Sequence, residues 1–205
     1  MLNRRLHKVI GATLLLPVFA WAATGVFFLF RPAYDEAYAS LGVKTYPLTS
    51  QLELPLADQW LEFRYLETVL GEHLLVRTAS GWQHLKATTG AVFVKPTGQE
   101  LEALVTDAIS QDPSRYGEII SLQDGSFLTS TGVLIGINWP SLSLTQVGED
   151  TRWINRIYDI HYLRWSGIDW LDEIIGGAGL FLLILMAITG ARLLFGAPSA
   201  NTRRP

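Results

Sequence analysis

The side chains in this 205-residue chain best suited to chemistry near neutral pH are four histidines, His7, His73, His84 and His161. An imidazole can shuttle a proton or ligate a metal centre, and spacing decides which is open to it. No two of the four stand at zinc-ligand spacing, and the chain has no cysteine, so a structural zinc site is not expected. The serines lack a nucleophile elbow, and no glycine loop of the Walker or Rossmann kind is present. No catalytic residue is therefore assigned.

His161 lies in the stretch RIYDIHYLRWSGIDWLDE, residues 156–173, among Tyr158, Tyr162, Trp165 and Trp170. If Trp153 to Asp172 is one helix, then Ile154, Ile157, His161, Trp165 and Ile168 share a face at steps of three and four. His161 then projects from the apolar stripe, and the aromatics form an interfacial belt. His7 stands at the head of the first apolar run, after Arg4 and Arg5. His73 and His84 fall on adjacent strands and read as partly exposed strand residues rather than as a metal pair.

The elements that must position these residues follow from hydropathy and charge. Val9 to Phe30 carries no charge, nor does Ile174 to Ala191, which is followed by Arg192 and Leu193 to Phe195. The first run spans about 33 Å as a helix and the second also reaches across, so two membrane spans are expected. A cleaved signal peptide ending near Ala20 to Ala22 is the alternative for the first, but the apolar run continues through Phe30. All 19 acidic residues lie between Asp35 and Glu173, beside 9 of the 16 basic ones, which gives that segment a net charge of −10. Arg4, Arg5 and Lys8 precede it, and Arg192, Arg203 and Arg204 follow it, so both termini are expected on the cytoplasmic side. The expected order is a tail over 1–8, spans over 9–30 and 174–195, and an external domain over 31–152. An interfacial aromatic helix over 153–173 and a tail over 196–205 complete it. The location expected is a bacterial inner membrane, with the lipid bilayer as first partner. An acidic domain without a basic cluster argues against nucleic acid.

The external segment shows no convincing repeat. Between Gln59 and Val69 strand and helix compete, and an antiparallel meander follows over His73–Thr78, Trp82–Lys86 and Ala91–Val94. Thr97 and Glu100 form a capping box that opens a helix with Leu101, Leu104, Val105, Ala108 and Ile109 on one face. Asp112-Pro113 ends it. Strands are expected over Glu118–Leu122, Val133–Ile137 and Leu142–Thr145, with a turn at Gln123–Ser126. The fold class is a membrane protein with two transmembrane helices flanking an α+β domain, a helix on an antiparallel sheet.

Four stretches carry a family resemblance: RRLHKVIG at the first span, AATGVFFLF over 22–30, KATTGAVF over 86–93, and IYDIHYLRWSG with GLFLLILMAITGARLLF at the second span. Together they resemble PepSY-associated transmembrane proteins. The resemblance implies a PepSY-like external domain. The function expected is accessory binding at the periplasmic face without catalysis; the resemblance implies two alternatives, haem-b electron transfer linked to iron or siderophore reduction, and modulation of a secreted peptidase. The larger reductase-like members have more spans and more histidines than this chain. Under the haem reading, His161 and His7 are the axial ligands. They sit at opposite membrane faces, about 30 Å apart. Each haem then needs a second ligand from a homodimer or from a partner subunit. The small residues Ala20, Ala23, Gly25, Gly176, Gly177 and Gly179 permit such packing. The competing reading makes His161 one more amphipathic residue of the aromatic belt.

Overall fold

The computed structural model describes residues 2–50 and 58–195. The tail expected over 196–205 lies outside them, as do Arg203 and Arg204. The chain divides into two compact units, one made of residues 1–32 and 153–205 and the other of residues 33–152. Two long apolar helices at the ends of the chain thus flank a sheet-rich domain.

The first unit is built on α1 (Leu2–Phe30) and α6 (Asp169–Phe195), each with a 27-residue stretch long and apolar enough to cross a membrane. Little of either is buried within the protein, as expected of helices whose apolar sides face outward. They run antiparallel: His7 approaches Gly190, Gly11 faces Met186, and Pro17 and Trp21 line a groove with Gly176 and Gly179. Glycine on α6 is what lets bulky α1 side chains come close.

The single aromatic helix expected over 153–173 is two pieces. Helix α5 runs from Glu149 to His161, and α6 begins at Asp169 rather than at Ile174. Between them Leu163 (φ 57°) and Gly167 (φ 71°) take left-handed conformations, which break the helical hydrogen-bond ladder. The break is fastened locally. The Ser166 N–H and hydroxyl donate to Asp172 Oδ1 at 2.9 and 2.7 Å, and the hydroxyl accepts from the Ile168 N–H at 3.1 Å. Ile154 and Ile157 are buried, whereas Trp165 and Ile168, expected on the same stripe, are about half exposed.

The second unit holds the short helix α2 (Tyr34–Ala37) and two antiparallel meanders. The first is β1 (Glu62–Thr68), β2 (Gly71–Thr78) and β3 (Gly81–Leu85). Its hairpin turns have two residues each, Val69-Leu70 and Ala79-Ser80, which fixes the register. The second is β4 (Ile119–Gln123), β5 (Ser126–Thr129), β6 (Leu134–Asn138) and β7 (Ser143–Val147). Asp124 (φ 46°) and Gly125 (φ 79°) form the tight turn between β4 and β5. Where one sheet was expected there are two, and β5 begins at Ser126, expected in the turn, and continues over residues 127–129, to which no strand was assigned.

Between the sheets in sequence lie α3 (Gly98–Ile109) and the short α4 (Pro113–Tyr116). Glu100 turns back so that its carboxylate accepts from the N–H and hydroxyl of Thr97 at 3.1 and 3.0 Å. Leu101, Leu104, Val105, Ala108 and Ile109 are all buried, in one core with Leu75 of β2 and with Phe127, Ile135 and Leu144 of the second sheet. The expected strand Ala91–Val94 is reduced to a bridge between Val92 and Leu85, supported by Lys86 N–H to Ala91 O and Phe93 N–H to His84 O. Pro96, which has no N–H to donate, and the α3 cap at Thr97 turn the chain away before a ladder can extend.

Candidate functional site

His7 and His161 are each held by a threonine from beyond their own helix. His7, near the start of α1, places Nδ1 3.1 Å from the hydroxyl of Thr189 on α6. His161, the last residue of α5, places Nδ1 2.9 Å from the hydroxyl of Thr24 on α1. Both hydroxyls also reach their own helix, Thr24 to Ala20 O at 2.8 Å and Thr189 to Leu185 O at 2.9 Å.

One placement of the protons uses every short contact at once. A hydroxyl has one proton, and a helix carbonyl can only accept, so each threonine donates back along its helix. In that arrangement its lone pair accepts from the imidazole, which carries its proton on Nδ1. The Nε2 lone pair is left as the ligating or basic edge of both rings.

The residue after each threonine is glycine, and each glycine faces the same imidazole. A Cβ built on Gly190 would stand 3.3 Å from His7 Cε1, and one on Gly25 would stand 3.9 Å from His161 Cε1. Threonine thus supplies the hydrogen bond and glycine the room. Around His161, Trp21 stacks at a ring separation of 5.6 Å, and the Phe28 ring meets the imidazole edge-on at 4.9 Å. Phe28 in turn stacks on Tyr158 at 4.5 Å. The neighbouring apolar groove, between Pro17, Trp21, Leu163, Gly176 and Gly179, encloses about 250 Å³.

The two cradles share a sequence. Residues 22–30 read AATGVFFLF and residues 187–195 read AITGARLLF, identical at Ala, Thr, Gly, Leu and Phe. The repeat was legible, but it lies in the end helices, outside the external segment in which a repeat was sought.

Haem b, which the family resemblance implies, requires an imidazole whose Nδ1–H is tied and whose Nε2 is open. The hydrogen-bonded Nδ1 of His7 and of His161 is compatible with that requirement. Thr24 lies 17 residues along α1 from His7, about 25 Å of helix, so the two imidazoles cannot serve one haem within a chain.

The sheet-rich unit holds a histidine pair of another kind. His73 and His84 were expected to be partly exposed, and both are buried, His73 completely. The two-residue turn pairs Leu75 with His84 and sets His73 diagonally from His84 on the same face. That face carries Leu75 into the shared core, so the sheet has no wet side there. His84 Nδ1 lies 2.9 Å from Trp139 O, His73 Nδ1 lies 2.8 Å from His84 Nε2, and His73 Nε2 lies 2.7 Å from the Thr68 hydroxyl. Phe93 stacks on His73 at 5.4 Å, and Trp139 lies 4.2 Å from the His84 ring. Burial pushes the His73 imidazolium down to about 4, with the neighbouring His84 acting the same way. Burial also lowers His84, against the raising effect of its bond to Trp139 O. All four ring nitrogens are engaged, so this pair has no lone pair to offer a metal.

No family model, curated protein or solved structure matches this chain.

Proposed function

We propose that this chain is a two-span inner-membrane protein that carries haem b for electron transfer, with its sheet-rich unit on the periplasmic side. The observation that carries this reading is the duplicated cradle, in which Thr-Gly on one helix holds Nδ1 of a histidine from elsewhere and leaves Nε2 open. A histidine of an interfacial belt has no use for a fixed tautomer. Haem b, when bound, supplies a one-electron carrier. Thr24 and Thr189 orient the imidazoles, and Trp21 and Phe28 keep water from His161. The confinement of acids to 35–173 supports the orientation. A homodimer supplies the second ligand at each face. The link to iron or siderophore reduction rests on the family resemblance.

The test is the absorption spectrum of the detergent-purified full chain, reconstituted with haem. The expected result is a Soret band with two haems per dimer, one lost with His161→Ala and the other with His7→Ala. A reconstituted wild type without a Soret band overturns the reading and leaves the accessory, non-catalytic role at the periplasmic face.

A further inference from the structure

We propose that the His73–His84 pair is an acid-operated latch, which ties the β1–β3 sheet to the β6–β7 connection while both rings are neutral and lets go when they are protonated. The hydrogen bonds run in one direction. Trp139 O can only accept, so His84 carries its proton on Nδ1 and presents a lone pair at Nε2. His73 must then donate from Nδ1 to His84, and its own Nε2 accepts from the Thr68 hydroxyl. The Thr68 oxygen accepts in turn from the Leu70 N–H at 3.1 Å. The order from Leu70 to Trp139 is complete, with one proton between each pair of heavy atoms.

One added proton has a place in this chain, at a cost. It can sit on His73 Nε2 if the Thr68 hydroxyl turns aside, but it leaves an imidazolium fully buried. A second proton has none. It would set two N–H groups facing each other across the His73–His84 bond, and that bond must break. Among the described residues no carboxylate acts on His73. α3 and the four-stranded sheet bring Leu104, Val105 and Ile135 to the shared core. The charged groups on the same face of the β1–β3 sheet are Lys86, over the Phe93 ring, and Glu62, Arg64 and Arg77, which pair with one another.

The latch joins two meanders that also share an apolar core and the segment 42–46, which bridges to Ser143 of β7 and to Glu67 of β1. His84 belongs to β3, and Trp139 lies between β6 and β7; the Trp139 indole also donates to Phe93 O at 2.8 Å. Its pH window follows from linkage. An unfolded histidine titrates near 6.5 and folded His73 near 4, so the unfolded chain binds the extra proton first. The stability from the neutral pair is full above about pH 6.5 and is lost as pH falls toward 4.

Histidine ¹⁵N spectra and hydrogen exchange of the full chain in detergent test the proposal. At pH 7.5 both rings should be Nδ1–H tautomers, assigned with His84→Asn. Between pH 7 and 4.5, exchange of the β2–β3 hairpin and of residues 138–142 should rise at least tenfold after correction for intrinsic rates. His73→Phe, which removes one of the two titrating rings and the bond between them, should make that rise smaller. Nε2–H tautomers at neutral pH, or exchange in wild type that is unchanged by acid, would overturn the latch. The exchange measurement on wild type requires no variant to fold.

Discussion

Thr24 and Thr189 stand at the same position in two copies of one nonapeptide pattern, and each holds the Nδ1 of a histidine that its own helix segment does not supply. Their hydroxyls are bound back to their own helices, so what they fix is a tautomer as well as a position.

Removing one hydroxyl separates these two effects. Thr24→Val should cost about 1 kcal/mol, the net worth of a hydrogen bond, and Thr24→Ser should cost less than half of that. Thermal unfolding of the purified chain measures both. Equal losses for Val and Ser would show that the hydroxyl does not hold His161.

The glycines make a contrast within one helix. Gly177→Ala meets nothing within 4 Å among the described residues and gains helix propensity, so it should be neutral or stabilising by up to about 1 kcal/mol. Gly190→Ala forces a Cβ to 3.3 Å from the His7 ring, so it should cancel that gain and displace His7. Unfolding midpoints of the two variants, compared side by side, check the difference.

In the sheet-rich unit, Arg115 donates to Asp150 Oδ2 at 3.0 Å, and the guanidinium is nearly buried. Burial pushes the Asp150 carboxyl up, but the hydrogen bonds from Arg115 and the Thr151 N–H outweigh it and hold the group below the usual carboxylate range. A depressed carboxyl stabilises the fold above its unfolded pKa and loses that contribution as pH falls through the folded value. Asp150→Asn should therefore cost about 2 kcal/mol at pH 7, and the difference from wild type should shrink on acidification below pH 4. Denaturant midpoints at the two pH values show whether it does.

Topology has its own readout. Reporter fusions after Gly125 should behave as periplasmic, and fusions at Pro205 as cytoplasmic. A cytoplasmic reporter at Gly125 would reverse the proposed orientation.

How much of this could be read in advance differs by element. The face of α3 was legible residue by residue, because a capping box and a helical period say the same thing about one stretch. The β2–β3 hairpin and the turn at Asp124-Gly125 were legible for a similar reason, since local turn chemistry sets the register. The break after His161 was not, because the interaction that fastens it runs from Ser166 to Asp172, and the helical stripe continues in sequence through residues that leave the helix. The burial of His73 and His84 depends on what covers the sheet. The carbonyl that receives the His84 proton comes from Trp139, 55 residues away.

The two cradles also have a mechanical meaning. They sit near opposite ends of α1: one ties α1 to α6 through Thr189, and the other ties α1 to the end of α5, from which the chain passes into α6. Sliding α6 by one residue would move Thr189 about 1.5 Å along the axis and swing it through about 100°. That single step would pull the hydroxyl off His7. It would also shift Gly179 against Leu163, in the short segment that carries His161 into α6. One fastening alone would leave the helices free to pivot about it. Two, placed about five turns apart along α1, one directly on α6 and one through the segment that leads into it, limit both sliding and rotation.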